Sequence, residues 1–287
     1  MKARLFHLWC LGCAIGLLVC LTFFIGFIIN RGGPALSLSL FFGDTDPIKG
    51  LLGLEPIWDG IWPACAGTIT VVVSALSLAL LPGLATGIWL ATSADSRFKT
   101  ILALGIDILA GIPSILMGLF GFTLILFLRN WLLPSANTCL LLSALSLAML
   151  IIPYLAVATR TALQALPPSL EITALSLGMT HWQTLRTVQL PQAAKGIIGG
   201  IMLAMGRAAE DTAVIMLTGA VANAGMPSGV FERYEALPFT IFYYSAQYQS
   251  DSELKMAFGA ALTLLSLTAA IFSAAGLLPR TRQSWRT

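Results

Sequence analysis

The sequence is poor in charged residues. Lys, Arg, Asp and Glu make up 10% of its 287 residues, whereas about 25% of an average soluble domain is charged. Hydrophobic residues make up 57%, and a soluble fold needs far more polar side chains to cover its surface. This balance excludes a soluble enzyme, a disordered chain and a nucleic-acid-binding module. It leaves an integral membrane protein.

Residues that hold metals or act as nucleophiles are also scarce. The two histidines, His7 and His181, are far apart, and the C-x-x-C pair Cys10 and Cys13 has no second pair or histidine cluster beside it. We therefore expect no metal and no cofactor. The sequence lacks the G-x-x-x-x-G-K-[ST] loop that cradles nucleotide phosphates, so the chain is not itself an ATPase.

Long apolar segments are what the sequence has instead. A helix that crosses the hydrocarbon core needs about 20 apolar residues. The segments that qualify are 6–29, 64–91, 100–128, 138–158, 196–221 and 256–278. Pro82 is expected to bend the second segment, and Pro113 to interrupt the third. We predict an all-α integral membrane fold of six transmembrane helices, divided into a first helix with its loop (1–63), a transmembrane domain (64–278) and a cytoplasmic tail (279–287).

The basic residues predict the orientation of these helices, because Lys and Arg are enriched in cytoplasmic loops. The side of the amino terminus holds Lys2, Arg4, Arg97, Lys99, Arg160, Arg186, Lys195, Arg280, Arg282 and Arg286. The opposite side holds only Arg31, Lys49, Arg129, Arg233 and Lys255. Both termini are therefore predicted to be cytoplasmic, and the long loops 31–63 and 222–254 to be external.

The cytoplasmic loop 163–195 has the signals of two short helices. Ser169 is predicted to cap the first helix, and Gly178 allows a tight turn after it. Thr180 is predicted to cap a second helix that places Trp182 and Val188 at helical spacing. Two helices joined at a glycine would present a protruding surface to a partner.

This loop resembles the coupling loop of importer permeases of the ATP-binding-cassette class, which has the form E-A-A-x3-G-x9-I-x-L-P. Ala174, Gly178, Val188, Leu190 and Pro191 fall at the required spacings, while Glu171 stands one place early. In that family the loop inserts into a groove of the ATPase subunit. The coupling residues that the resemblance implies are Glu171, Ala174, Gly178, Trp182, Val188, Leu190 and Pro191.

Further stretches are similar to the phosphate-specific transporter permeases, the PstA type more than the PstC type. They lie at 35–42, 60–69, 109–122 and 206–220. The resemblance implies a permease subunit that imports inorganic phosphate by alternating access, in the cytoplasmic (inner) membrane of a prokaryote. It also implies two ATPase subunits, a sister permease and an extracytoplasmic phosphate-binding protein as partners, with the lipid bilayer around them and no nucleic acid.

Four charged residues fall inside the apolar segments and are the candidate pathway residues. An ionisable side chain at that depth costs a few kcal/mol, so it marks a functional site by default. Arg207, Glu210 and Asp211 lie in one predicted helix, where spacings of three and four place both carboxylates on the side of Arg207. In the permeases that the chain resembles, the related motif runs A-R-x-x-G-E-T-A, and this resemblance implies Thr212 as a further pathway residue. Asp107 lies in the third segment, where it either pairs with Arg207 or hydrogen-bonds a neighbour.

Other readings of the sequence stay open. The charged cluster is either a self-neutralising structural feature or a site at which Arg207 offers planar donors to an oxyanion. The cargo could be sulfate, molybdate or another oxyanion, because Glu210 stands where the family has glycine. An intramembrane enzyme using these acids is a rival from another class, although no G-x-S-x-G turn accompanies them. A structural or sensory membrane subunit is a third.

Overall fold

A computed structural model describes residues 2–51, 55–131, 133–227 and 229–276, and the regular structure within these ranges is helical. The helices are α1 Lys2–Gly32, α2 Leu38–Phe42, α3 Pro47–Leu51, α4 Trp62–Thr92, α5 Arg97–Gly111, α6 Ser114–Trp131, α7 Leu140–Gln164, α8 Pro168–Ser176, α9 His181–Thr184, α10 Leu190–Glu210, α11 Thr212–Thr218, α12 Leu237–Gln247 and α13 Asp251–Gly276. The prediction of an all-α membrane fold is confirmed. The predicted tail 279–287 lies outside the described residues.

Five helices in the described part of the chain are long and apolar enough to cross a membrane: α1, α4, α6, α7 and α13. Four of them correspond to the predicted first, second, fourth and sixth segments. The third segment is interrupted as expected, because α5 ends at Gly111 and α6 begins after Pro113, which fixes its own φ and disfavours helical backbone before it.

The fifth segment is broken as well, which the sequence did not predict. Helix α10 ends at Glu210, Asp211 adopts an extended conformation, and α11 then begins at Thr212. The Asp211 side chain accepts a hydrogen bond from the Val214 backbone N–H at 2.9 Å and so caps α11. Short polar side chains compete with the helix for backbone groups in this way. The prediction of one continuous helix over 196–221 is therefore wrong.

Small residues let the central helices pack closely. Gly200 of α10 lies against Ala158 of α7, so that an added Cβ would collide with the alanine methyl. One turn earlier in α10, a Cβ on Gly196 would lie 2.6 Å from that of Ala162. These contacts run in opposite directions along the two helices, so α10 is antiparallel to α7. Close approach through small residues is how membrane helices associate, since lipid supplies no hydrophobic drive between them.

The two ends of the bundle carry different short helices. The end formed by the carboxyl termini of α4 and α7 carries α8 and α9, and we call it the α8 end. The opposite end carries α2, α3 and α12, and we call it the α12 end. The segment 222–254, predicted as a loop, in fact contains α12, and the side chain of Tyr234 before it is fully buried. The Thr68 hydroxyl accepts a hydrogen bond from the Leu237 backbone N–H at 2.8 Å and fixes the start of α12 on α4.

Candidate functional site

An ion pair at the break between α10 and α11 forms the centre of the candidate site. The Asp211 Oδ2 atom lies 3.3 Å from the Arg207 Nη2 atom. The Asp211 side chain is 1% exposed and the Arg207 side chain 36% exposed. The other Asp211 oxygen caps α11, while Oδ2 makes the ion pair without a hydrogen bond. The partly exposed guanidinium is therefore neutralised by a buried carboxylate.

Glu210 does not join this pair. Its side chain is exposed and makes no hydrogen bond or ion pair with the residues that the structure describes. Glu210 lies on the side of α10 that carries Arg207 without pairing with it, whereas Asp211, extended after the end of the helix, forms the ion pair.

Arg207 and Glu210 belong to one face of α10 that is left uncovered. Gly199, Leu203 and Glu210 are exposed, and Arg207 lies between them at intermediate burial. Spacings of three and four place all of them on one side of a helix. On the other side, Ala204, Ala208 and Ala209 are buried in the main core cluster. The chain therefore presents a charged stripe on a helix that is otherwise packed into the bundle.

This stripe lies near the middle of the bundle. The buried alanines behind it share their core cluster with Leu147 and Ile151, in the central part of α7. The ring of Phe272 from α13 contacts Gly206, next to Arg207. An exposed guanidinium at this depth is costly against lipid, so the stripe must face water or another protein chain.

The remaining predicted pathway residues, Thr212 and Asp107, do not take part in the ion pair. Thr212 is the first residue of α11 and is partly buried. Asp107 lies on an exposed face of α5, and within the described chain it forms neither an ion pair with Arg207 nor a hydrogen bond with a neighbour. The role of Asp107 in the pathway therefore stays a prediction.

At the α8 end, the predicted turn at Gly178 and the predicted helix cap at Thr180 are both present. Gly178 has φ +84°, a backbone conformation that favours glycine. The Thr180 hydroxyl accepts from the Gln183 N–H, and the Gln183 side chain accepts from the Thr180 N–H. This reciprocal arrangement is a capping box. The predicted cap Ser169 is wrong: Pro167 precedes α8 and Pro168 occupies its first position, where a missing N–H costs nothing.

The second predicted short helix is not separate. Helix α9 continues through the π-helical turn Leu185–Gln189 directly into α10, with Pro191 in the first turn of α10. The α8 end is thus joined without a break to the helix that carries Arg207. Glu171 of α8 bridges to the same unit, since its carboxylate accepts from Gln189 at 3.3 Å and lies 3.6 Å from the His181 Nδ1 atom.

The surface of this end is apolar and exposed. Leu177 is 76% exposed, Trp182 65% and Ile172 64%. Ala174 is buried beneath them, and Val188 and Leu190 are partly buried. Exposed apolar patches of this kind mark interaction sites. Of the implied coupling residues, Trp182 therefore offers a contact surface, whereas Ala174 supports the fold of the segment.

Sequence reasoning missed three features of these sites. Ile172 and Leu177 were not named as contact residues, although Ile172 is an apolar residue of the short helix α8 and Leu177 follows its last residue. The cap role of Asp211 was missed as well, and its signal was the Asp-Thr pair, since Asp is a favoured cap residue. Glu235 beside α12 is also buried, with an oxygen that accepts from the Gly225 N–H at 2.8 Å. Burial raises the pKa of the Glu235 carboxyl above its usual value, and the backbone hydrogen bonds that it accepts offset only part of this rise.

Comparison with known proteins places these features in context. Residues 83–283 match the protein family described as binding-protein-dependent transport system inner membrane component. The phosphate transport system permease protein PstA of Xylella fastidiosa is 29% identical over 253 residues, which are 88% of this chain and 84% of that protein. PstA of Haemophilus influenzae is 31% identical over 252 residues, covering 86% and 83%.

A solved structure has the same fold. An inward-facing form of the MetNI methionine ABC transporter superposes with a TM-score of 0.59 at 18% identity, covering 81% of this chain and 96% of that chain. At this identity the likeness concerns the fold alone.

Proposed function

The chain belongs to the family of inner membrane components of binding-protein-dependent transport systems, and from this premise we propose that it is a permease subunit of an ATP-driven importer of inorganic phosphate. The observation that carries the proposal is the Arg207 guanidinium, anchored by buried Asp211 on the uncovered face of α10. The names of the two PstA relatives support phosphate as the cargo.

The uncovered face of α10 forms one wall of the pathway. A charged stripe near the middle of a membrane bundle needs water or a protein partner. A sister permease that faces the stripe would enclose a water-filled space between the two chains. Arg207 then binds the phosphate through the planar N–H donors that Asp211 leaves free. Thr212 and Asp107 are the further pathway residues of the proposal.

Glu210 weakens the site that Arg207 creates. Its exposed carboxylate shares the face of Arg207, and a negative charge a few ångströms from a bound anion repels it. A transporter benefits from such balance, because a cargo that binds too tightly is not released. In this proposal, the phosphate binds to Arg207, and the neighbouring Glu210 carboxylate keeps that binding weak enough for release.

ATP hydrolysis reaches this site through the α8 end. Of the two ATPase subunits, one docks on the exposed residues Leu177 and Trp182 of the loop 163–195, and the other docks on the sister permease. Because α9 runs through a π-helical turn into α10, closure of the ATPases moves the helix that carries Arg207. The α8 end and both termini are then cytoplasmic, and an extracytoplasmic phosphate-binding protein delivers cargo at the α12 end. In this division the residues 64–278 form the transmembrane domain.

Sulfate or molybdate is the second candidate cargo, because they are oxyanions of similar shape and Glu210 departs from the residue usual in the family. Uptake of labelled phosphate and labelled sulfate in cells that lack the chain separates the two. We expect phosphate uptake to fall to the level of other transporters, and sulfate uptake to be unchanged. Phosphate uptake returns to normal when the full-length chain is supplied.

The opposite pattern, with sulfate uptake lost and phosphate uptake kept, would transfer the proposal to sulfate. Undiminished uptake of both anions, in cells with no duplicate transporter, would leave neither cargo standing.

A further inference from the structure

A cleft at the α12 end has the chemistry of an anion site and plays no part in the proposed pathway. It has a volume of about 280 Å³ and lies between the last turn of α1 and the first turns of α13. The residues that line it are Asn30, Arg31, Pro34, Asp251, Leu254, Lys255 and Phe258. The helices are locked together beside it, because a Cβ on Gly32 would lie 2.6 Å from the Phe258 carbonyl oxygen.

Two cations from different helices face the cleft. Arg31 lies at the end of α1, with its guanidinium carbon 5.8 Å from the centre of the Phe27 ring. Lys255 lies in the second turn of α13. Neither forms an ion pair with a residue in the described ranges, and Asp251 is the one carboxylate among the lining residues. The cleft therefore has a net positive charge that the chain leaves unbalanced.

The surroundings of the cleft are apolar on the membrane side. The spanning part of α1 is apolar and has none of its residues buried within the chain, which leaves this helix open to lipid. Pro34, Leu254 and Phe258 give the cleft apolar walls next to its cations. A pair of cations at the ends of spanning helices lies at the level of lipid headgroups. A phosphate with an apolar tail fits this combination, because its tail buries apolar surface against the walls of the cleft. A free ion has no apolar surface to bury there.

We propose that this cleft binds the headgroup of an anionic phospholipid, with its phosphodiester between Arg31 and Lys255. Basic pockets between membrane helices bind lipid headgroups in this way. Asp251 weakens the site and limits its occupancy to lipids whose headgroup carries a net negative charge. The proposal concerns a surface remote from the uncovered face of α10, and it does not depend on the nature of the cargo.

Native mass spectrometry of the purified full-length chain, with the subunits that accompany it, tests the proposal. The protein is titrated with phosphatidylglycerol or with phosphatidylcholine of the same acyl chains. Each of Arg31→Gln and Lys255→Gln is expected to weaken phosphatidylglycerol binding about fivefold, and the double variant about 25-fold. Phosphatidylcholine binding stays unchanged, since its headgroup has no net charge. Asp251→Asn is expected to tighten phosphatidylglycerol binding.

The matched control is Lys49→Gln, which removes a cation from the same end of the bundle, where Lys49 pairs with Glu55. It should bind both lipids as the wild type does. Equal phosphatidylglycerol binding by the wild type and the double variant would overturn the proposal. Displacement of phosphatidylglycerol from the wild type by millimolar inorganic phosphate would also overturn it, because the cleft would then be a site for the free anion.

Discussion

Replacement of Arg207 by alanine is expected to lower phosphate uptake by about 100-fold, because the guanidinium offers phosphate two charge-assisted hydrogen bonds that each contribute about tenfold. Arg207→Lys keeps the charge but loses the planar fork, so its uptake should lie between those of wild type and Arg207→Ala. The measurement is the initial rate of labelled phosphate uptake over a range of concentrations in cells that lack the wild-type chain.

The matched control is Arg97→Ala, which removes an exposed arginine from the first turn of α5 at the α8 end. Its uptake should equal that of the wild type. Membrane levels and ATPase co-purification of each variant show that the complex assembles. Normal uptake by an assembled Arg207→Ala complex would remove Arg207 from the pathway and leave the cargo open.

The second large effect is expected at the α8 end. Leu177→Asp and Trp182→Asp place a charge on side chains that are 76% and 65% exposed, so the chain should fold while its contact with the ATPase is lost. A buried aromatic anchor at an interface contributes about 2 kcal/mol or more. Co-purification of the ATPase subunits should therefore fall at least about 30-fold, and uptake should fall with it.

Trp58→Asp is the control for these variants, because Trp58 is 60% exposed but lies between α3 and α4 at the α12 end. It should keep its ATPase subunits. If Leu177→Asp and Trp182→Asp also keep them, the ATPase docks elsewhere, and the continuity of α9 with α10 has no role in coupling.

Local rules were sufficient for much of the α8 end. The turn at Gly178 and the cap at Thr180 depend only on residues within a few positions, and both stand as expected. Ser169 failed for an equally local reason, since a proline beside it took the first helical position. The continuity of α9 with α10 was not predictable, because it depends on a π-helical turn for which the sequence has no clear signal.

Features fixed by distant contacts were beyond the sequence. Tyr234 is buried in the main core cluster, and α12 begins where the Leu237 N–H meets Thr68 on another helix. No pattern of residues along the chain predicts such a contact. The break at Asp211 lies between these cases: its cap is local, but the apolar run around it favoured one continuous helix.

That break decides the roles of the two neighbouring carboxylates. In an unbroken helix, the spacings of three and four would place both Glu210 and Asp211 on the side of Arg207. The extended backbone at Asp211 instead buries one carboxylate against Arg207 and leaves the other on the surface. The sequence located the charged site, and the structure separates its anchor from its exposed acid.

The most direct test of the account is transport by the purified complex in proteoliposomes. The complex contains the full-length chain and its co-purifying subunits. ATP is supplied on the side of the ATPases, and the binding protein with labelled phosphate on the opposite side. The account predicts phosphate accumulation that requires ATP hydrolysis and is lost in Arg207→Ala. Accumulation that is independent of ATP, or equal in wild type and Arg207→Ala, would contradict it.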